Sequence, residues 1–390
     1  MKILHLLGHK YKWPLDAYFQ NNVGDGFIFC AYSFKEGIIG GTVSGYGPDE
    51  YLDKSLIDFQ FYGNKKSIGG KLDTYKFHPI NNRSDVTNID GIVKIFSGIE
   101  YQHRLGLNKI IIPSYHYDKN HLKNTTDIII DVNKKLDSIK KNNTKYYMTL
   151  SISSKSITDD DYVEKLLQKA TGMEIGFDGY YIACEPIVEY KKKVSIDYKY
   201  YTNLLKILKT LKMQGFETIY AYANWDALIF YSLCEIDYIT IGTYENIRNF
   251  SLTRFTEEIK GGLSKGWYFS EKLLNFIRSQ ELVAIRTQGA IHEIANEYNI
   301  FSDAILDKSF EWNTHKPEVQ KNYLLAISRL LDKLRSYSLT ERSDLMLNKI
   351  QQSRELYEKL EKKYRIYLQE ENSGYHLGCW TTFIKMHQES

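Results

Sequence analysis

The amino-acid sequence predicts an α/β protein, a TIM-like (β/α)8 barrel of parallel strands with a C-terminal helical extension. Short segments rich in β-branched residues and tyrosine alternate with helix-length segments, which is typical of βαβ units and a parallel sheet. Most of these strands end in polar side chains, and the carboxyl ends of barrel strands share the face where active sites are built. We expect the barrel over residues 1–288 and the extension, packed on the barrel, over residues 289–390.

Six strands are predicted in the middle of the chain, and each is a short apolar run that polar residues follow. They cover residues 109–115, 145–151, 179–185, 217–223, 237–243 and 282–287. Eight strands are reached only with the segment 26–34 and one of two further segments, 57–63 or 71–78. Closure of the barrel is therefore inferred from the strand count.

The segments between these strands have helical spacing of apolar residues. Predicted helices cover residues 89–105, 134–141, 159–170, 200–214 and 227–234. Asp159, Asp160 and Asp161 begin one of them, where carboxylates cap free amides and suit the helix dipole. Residues 290–370 are almost wholly helical in pattern. We expect the last helices to pack on the barrel, with a partner-binding arm as the alternative.

Composition sets limits on function without choosing one. The net charge of +3 is too small to require a nucleic-acid partner. The 4 cysteines are scattered, and none forms a Cys-x-x-Cys pair, so we expect neither a metal site nor a cofactor. The N-terminal segment is a poor signal peptide, and no apolar run reaches membrane-spanning length. A cytoplasmic protein without a membrane partner is expected.

The 32 tyrosines allow two interpretations. Tyrosine gives flat, amphipathic surface for stacking on bases or sugars. A low-GC genome, rich in Lys, Asn, Ile and Tyr codons, would produce the same bias.

Candidate site residues are the polar side chains at the predicted strand ends. Glu185 and Asp226 are the candidate acid and base, and Asp226 could equally cap the helix that follows it. The candidate ligand-binding residues are histidine, aromatic, amide, acidic and arginine side chains: His116, Asn224, Trp225, Tyr244, Glu245, Arg248, Arg254 and Arg286. The arginines suit phosphate, because guanidinium binds it with two parallel hydrogen bonds, or they pair with local acids.

Residues 177–186 read FDGYYIACEP and resemble the fourth-strand signature of chitinase-like glycosidases, Asp-Gly-x-Asp-x-Asp-x-Glu. Asp178, Gly179 and Glu185 match that pattern, and the resemblance implies that Glu185 protonates a glycosidic oxygen. The two middle acids are replaced by Tyr181 and Ala183. The resemblance therefore favours a barrel strand more than it favours chitin hydrolysis.

A longer stretch, roughly residues 215–335, resembles barrel proteins related to tRNA-guanine transglycosylases. The runs that carry it are IDYITIGTYENIRNFSLTRF, GGLSKGWYFSEKLLNFI and FEWNTHKPEVQKNYLLAISRLLDKL. The matching positions are an acid, a glycine, an arginine and residues of the later segments: Asp237, Gly242, Arg248 or Arg254, Tyr268, Leu273 and His315. The zinc-binding cysteines of the true transglycosylases are absent. The resemblance implies a barrel that binds or acts on a nucleobase, nucleotide or RNA.

Three functional hypotheses follow. The first is this transglycosylase-related barrel, in which Glu185 and Asp226 transfer protons, tyrosines stack on a base and arginines hold phosphate. The second is a degenerate chitinase-like glycosidase with Glu185 as the acid. The third is a non-catalytic barrel subunit of a bacterial complex, with anti-phage defence as the setting considered and the C-terminal helices as the docking surface for a protein partner.

Overall fold

Eight parallel strands form a nearly closed barrel in the computed structural model, which describes residues 1–44, 53–63, 71–81, 89–172, 174–242, 249–256, 266–312 and 316–388. The strand order places each strand beside its neighbours in sequence, and β1 pairs with β8. β3 and β4 contact each other, but no backbone ladder joins their described residues. The strands are β1 Lys2–Leu7, β2 Gly26–Cys30, β3 Ser55–Asp58, β4 Lys109–Ile112, β5 Lys145–Ile152, β6 Gly179–Cys184, β7 Glu217–Ala223 and β8 Tyr238–Ile241.

The predicted barrel is confirmed, but two strand predictions were wrong and one strand was missed. Residues 282–287 belong to the helix Ser279–Thr287, in which Leu282 and Ile285 are buried while Val283 is exposed. That spacing is helical, and a six-residue apolar run does not by itself separate helix from strand. Residues 71–78 contain only a 3-10 turn, Leu72–Thr74.

The missed strand is β1, the first strand of the barrel. Its sequence KILHLL is interrupted by a histidine that looks polar, but the His5 side chain is buried. His5 Nε2 lies 2.6 Å from the carbonyl oxygen of Val23, so the imidazole is hydrogen-bonded under the helix that follows the strand. A histidine held by such a hydrogen bond can be buried within a strand.

Alternation along each strand divides the side chains between two cores. One set fills the barrel lumen and includes Leu4, Ile28, Leu56, Tyr181 and Ala221. The other set faces the surrounding helices and includes Ile3, Phe27, Tyr180 and Tyr220. Because the period of a strand is two, this division tells which side of the barrel wall each strand residue faces.

The helices surround the barrel and continue beyond it. They are α1 Lys12–Asn21, α2 Ile38–Ser44, α3 Ile89–Arg104, α4 Leu122–Leu136, α5 Ser154–Ile157, α6 Asp160–Ala170, α7 Tyr198–Met213, α8 Ala227–Leu233, α9 Thr253–Thr256, α10 Ser279–Thr287, α11 Ile291–Ile294, α12 Ile300–Leu306, α13 Pro317–Arg335, α14 Leu339–Tyr364 and α15 Leu377–His387. The expected acidic cap of α6 is present, since the Asp159 carboxylate accepts a hydrogen bond from the Tyr162 amide at 3.1 Å.

The C-terminal region begins with an antiparallel hairpin of β9 Trp267–Ser270 and β10 Asn275–Arg278. The last helices then return to the barrel: α13 contacts α1, α14 contacts α8, and α15 contacts α7 and α8. Trp380 and Phe383 of α15 belong to the same hydrophobic core as the outer faces of the strands. Within the described residues, every helix is too short or too polar to span a lipid bilayer. The domain boundary at residue 288 stays a prediction.

Candidate functional site

The C-terminal strand ends, which we call the mouth of the barrel, bring together some of the predicted site residues. Glu185 follows β6 directly, Asn224 follows β7, and His116 lies four residues after β4. Residues 249–256, which we call the cover, come back to the mouth after β8. Tyr244, Glu245 and Arg248 lie outside the described residues, as does His315.

Glu185 is a carboxylate that three hydrogen bonds hold at the mouth. Its Oε2 accepts hydrogen bonds from the backbone N–H of Ser154 at 3.1 Å and from the Ser154 hydroxyl at 2.9 Å. Its Oε1 accepts a hydrogen bond from the backbone N–H of Leu252 at 3.0 Å. The side chain is half-buried. Three donors from two separate segments therefore fix a carboxylate that still reaches the surface of the mouth.

His116 lies on the same side of the mouth. Its Nδ1 is 3.1 Å from the Ser151 hydroxyl and 3.2 Å from the Ser151 carbonyl oxygen. Burial lowers the pKa of His116, while the Ser151 carbonyl and the negative charge of Glu185 act in the opposite direction. A mostly neutral imidazole near a carboxylate can relay a proton. The structure thus brings His116 and Glu185, which were predicted separately as site residues, into one electrostatic environment.

Asn224 joins the strand ends to the cover. Its side-chain amide Nδ2 donates to the Asn249 amide oxygen. Asn224 is buried, and its own Oδ1 has no hydrogen-bond partner among the described residues. Burying an acceptor without a donor costs about 1–3 kcal/mol of folding free energy. The Asn224 Oδ1 is therefore a candidate acceptor for a hydrogen-bond donor of a ligand.

Asp226 and Trp225 point away from the mouth. The Asp226 carboxylate accepts hydrogen bonds from the backbone N–H of Asn224 at 3.1 Å and from the Tyr220 hydroxyl at 3.3 Å. Tyr220 faces the helices, and Trp225 packs against Phe269 of the C-terminal hairpin. Asp226 therefore lies between β7 and the helices and is not brought beside Glu185. It stands just before α8, but its side chain makes no cap hydrogen bond.

The structure describes two of the three predicted arginines, Arg254 and Arg286, and they lie in separate elements. Arg286 lies in α10, where its Nη2 donates to the Leu306 carbonyl oxygen at 3.0 Å, so the prediction that it ends a strand was wrong. Arg254 is half-buried in the cover. Among the described residues, no three histidine, cysteine, aspartate or glutamate side chains come together as a metal site would require.

Sequence reasoning missed a second carboxyl group, Asp58, at the end of β3. It is 2% exposed and lies inside the lumen, where it accepts hydrogen bonds from four donors. Its Oδ1 accepts from the backbone N–H of Gln60 at 2.9 Å and from the Tyr62 hydroxyl at 3.1 Å. Its Oδ2 accepts from the Tyr181 and Tyr222 hydroxyls at 3.1 and 2.8 Å. Burial raises the pKa of Asp58, and the four hydrogen bonds oppose that shift.

The backbone around Asp58 is strained. Gln60 and Tyr222 have φ angles of 57° and 54°, in the left-handed region that non-glycine residues rarely adopt. β7 also shifts its register against β8 between Tyr220 and Ala223, as a β-bulge does. Bulges and left-handed residues cluster next to active sites, where they aim particular side chains. The available sequence signal was an acid ending a short strand, but β3 ends five residues before the predicted segment does.

Comparisons with known proteins leave the family open. No family model matches the chain, and no curated protein matches its sequence. Any functional conclusion therefore depends on the geometry of the mouth and the lumen.

Replacing Asp226 by asparagine is expected to stabilise the protein at pH 8. Burial raises the pKa of Asp226 from 3.8 to about 6, so ionising it costs folding free energy above pH 6. Asparagine removes that cost, which is at most about 3 kcal/mol, and the gain disappears near pH 4, where the carboxyl is protonated. Urea unfolding at both pH values measures the change. Asp161→Asn, on a side chain that is 87% exposed, is the control and leaves the pH dependence unchanged. An Asp226→Asn protein as pH-dependent as its parent contradicts the prediction.

Proposed function

We propose that this barrel binds or acts on a nucleobase, nucleotide or RNA at its mouth, as a relative of the tRNA-guanine transglycosylases. The observation that carries the proposal is the fixed, half-buried carboxylate of Glu185 at the end of β6. The C-terminal ends of the strands are where (β/α)8 barrels hold their catalytic groups, and Glu185 lies at such an end. In this proposal Glu185 exchanges a proton with the ligand.

The neighbours of Glu185 suit a planar, polar ligand. The unpartnered Oδ1 of Asn224 offers an acceptor to a ring or amino N–H. His116 adds an imidazole nitrogen, and burial lowers its pKa, which favours the neutral form that can accept a proton. Base edges are recognised by such amide and imidazole groups, and aromatic side chains supply the stacking surface. A bound base would thus meet hydrogen-bonding groups on two sides of the mouth.

The chitinase-like alternative is weaker on this geometry. The residue two positions before Glu185 is Ala183, whose methyl group is buried in the lumen. No acid is present at that position to share the work of Glu185. The alternative of a non-catalytic docking subunit is separated from the proposal by experiment.

Glu185→Gln is the decisive variant. The protein is incubated with a mixture of nucleosides, with nucleotides and with total bacterial RNA, and the free bases released are quantified by chromatography and mass spectrometry. We expect release from one of these substrate classes, and a loss of about a hundredfold or more in Glu185→Gln. Glu189→Gln, on an exposed residue of the same loop, is the matched control and keeps the activity.

Two outcomes overturn the proposal. One is equal base release by the parent and by Glu185→Gln. The other is the absence of both base release and saturable binding for all three substrate classes. In the second case, recovery of one defined partner protein that is lost on truncation after about residue 340 supports the docking alternative.

A further inference from the structure

The polar centre of the lumen lies directly beneath the cover. Phe250 of the cover packs on Tyr62 and Tyr222, with ring centroids 5.0 and 5.3 Å apart, and Phe255 packs on Tyr62 at 5.3 Å. At Gly63 a β-carbon would lie 2.0 Å from the Phe255 carbonyl oxygen. Only glycine permits this approach, so the cover is seated tightly on the chain that leads from Asp58.

The composition of this lumen layer is unusual for a barrel. Barrel interiors are normally filled by bulky branched aliphatic side chains. Here the C-terminal layer holds a carboxyl group, an amide and three phenols. The Gln60 side chain extends the network, because its Nε2 donates to the Tyr222 hydroxyl at 2.7 Å and its Oε1 accepts from the Tyr32 amide at 3.0 Å.

Gln60 and Tyr222 both hold left-handed backbone angles, and both contribute atoms to the network around Asp58. Each such residue costs of order 1–3 kcal/mol, which the surrounding structure must offset. Apolar side chains would fill the lumen without that cost. The strain and the polar lining together favour a role for these groups beyond filling the lumen.

The cover is fastened to the mouth through the residue already assigned to proton transfer. The Leu252 N–H donates to Glu185 Oε1 at 3.0 Å, and Asn249 accepts from Asn224. A ligand that takes over the Glu185 carboxylate competes with the Leu252 amide. Binding of a ligand to Glu185 and closure of the cover are thus coupled, and each affects the other by the same free energy.

We propose that Asp58, Gln60, Tyr62, Tyr181 and Tyr222 form an internal binding site for a planar nitrogen heterocycle, closed here by the cover and opened when the Glu185–Leu252 hydrogen bond is released. When the cover opens, ring or amino N–H groups of the ligand replace donors that now bind the Asp58 carboxyl, and the tyrosine rings contact the faces of the ligand. The site rests on the proposed function, because the ligand at the mouth is the one that enters.

The experiment uses the fluorescent free base 2-aminopurine, whose emission is quenched when the base stacks on aromatic rings. It is titrated against the full chain and against Asp58→Asn and Tyr181→Phe. We expect saturable quenching by the parent and affinity weaker by about tenfold or more in Asp58→Asn. Tyr181→Phe removes a single hydroxyl, so it serves as the second variant if Asp58→Asn does not fold, and a smaller loss is expected.

The opening step is measured without ligand. Hydrogen exchange by mass spectrometry is followed over residues 249–256 in the parent and in Glu185→Gln. Faster exchange of this segment is expected in the variant, because an amide side chain is a weaker acceptor for the Leu252 N–H than a carboxylate. Glu189→Gln is again the control and leaves the exchange unchanged.

The results separate this site from the proposed function. If 2-aminopurine binds the parent but neither Asp58→Asn nor Tyr181→Phe weakens it, the internal site is wrong while the mouth remains the binding place. If binding depends on Asp58 but Glu185→Gln releases bases at the parental rate, the role of Glu185 in proton transfer is wrong. Absence of saturable quenching, or unchanged exchange in Glu185→Gln, overturns the internal site or its opening step.

Discussion

Lowering the pH from 7.5 to 4.5 is expected to reduce the free energy of unfolding by about 3 kcal/mol, chiefly because two buried histidines stay neutral in the folded protein. Burial lowers the pKa of His78 to about 4 and that of His376 to about 3. His78 uses both ring nitrogens, since Nδ1 accepts from the Ile80 amide at 3.2 Å and Nε2 lies 3.0 Å from the Phe59 carbonyl oxygen. A second proton would turn that acceptor into a donor facing the Ile80 N–H.

The direction of the effect follows from proton binding. Unfolded histidine takes up a proton below its pKa of 6.5, but folded His78 and His376 do not until pH 4 and pH 3. Their contribution is therefore complete above pH 6.5 and is lost as the pH falls. Each histidine loses about 1.4 kcal/mol per pH unit, or about 5 kcal/mol for both at pH 4.5. Asp226, with its pKa raised to about 6, is protonated as the pH falls to 4.5, and this offsets about 2 kcal/mol of the loss.

Urea unfolding at pH 7.5 and 4.5 measures the effect in the parent, in His78→Gln and in His376→Gln. Each variant is expected to be less stable than the parent at pH 7.5, because a packed ring is lost, and to depend less on pH. His9→Gln, on an exposed histidine, is the control and keeps the parental pH dependence. A parent equally stable at both pH values, or two variants with the parental slope, contradicts the assignment.

The barrel was predictable where the sequence pattern and the local geometry agree. The predicted strand 217–223 coincides with β7, and the predictions for β5 and β6 differ from the structure by one residue at one end. These strands have tyrosine or β-branched residues on both faces, as expected for strands that are covered on both sides. β1 was not predicted, because the burial of His5 depends on a hydrogen bond to Val23 that no local sequence pattern shows.

The mouth was partly predictable, and the lumen was not. The strand-end rule was enough to predict Glu185 and His116 at the mouth. Asp58 gains its partners from Tyr181 and Tyr222, which are 123 and 164 residues away in sequence. The bulge in β7 also breaks the strict alternation of that strand, so which residues face the lumen near Asn224 and Asp226 could not be counted from the sequence.

Replacing Arg278 by methionine is expected to destabilise the protein by about 3–5 kcal/mol, because it leaves a buried carboxylate without its cation. Glu371 is 3% exposed, and its carboxylate pairs with the Arg278 guanidinium. The backbone N–H of Arg278 also donates to the Asn372 side chain at 2.8 Å. The pair thus fastens the segment that precedes α15 to the C-terminal hairpin.

Loss of the Arg278–Glu371 ion pair should also loosen the loop that follows Glu185. The Tyr375 hydroxyl, four residues after Glu371, accepts hydrogen bonds from the backbone N–H groups of Lys193 and Val194 at 2.9 and 3.1 Å. Loosening the segment around Glu371 therefore removes a support of the β6–α7 loop. Hydrogen exchange over residues 186–196 is expected to rise in Arg278→Met, in addition to the loss of stability measured by urea.

The double variant Arg278→Met/Glu371→Leu separates charge burial from packing. It removes the carboxylate together with the cation, and it should recover most of the stability that Arg278→Met loses, because exchanging both partners for apolar groups is often neutral. Arg335→Met, which breaks more exposed pairs with Asp25 and Asp332, is the matched control and should cost less than about 1 kcal/mol. If the double variant is as unstable as Arg278→Met, the loss comes from the packing of the arginine on Trp267 and not from the unpaired charge.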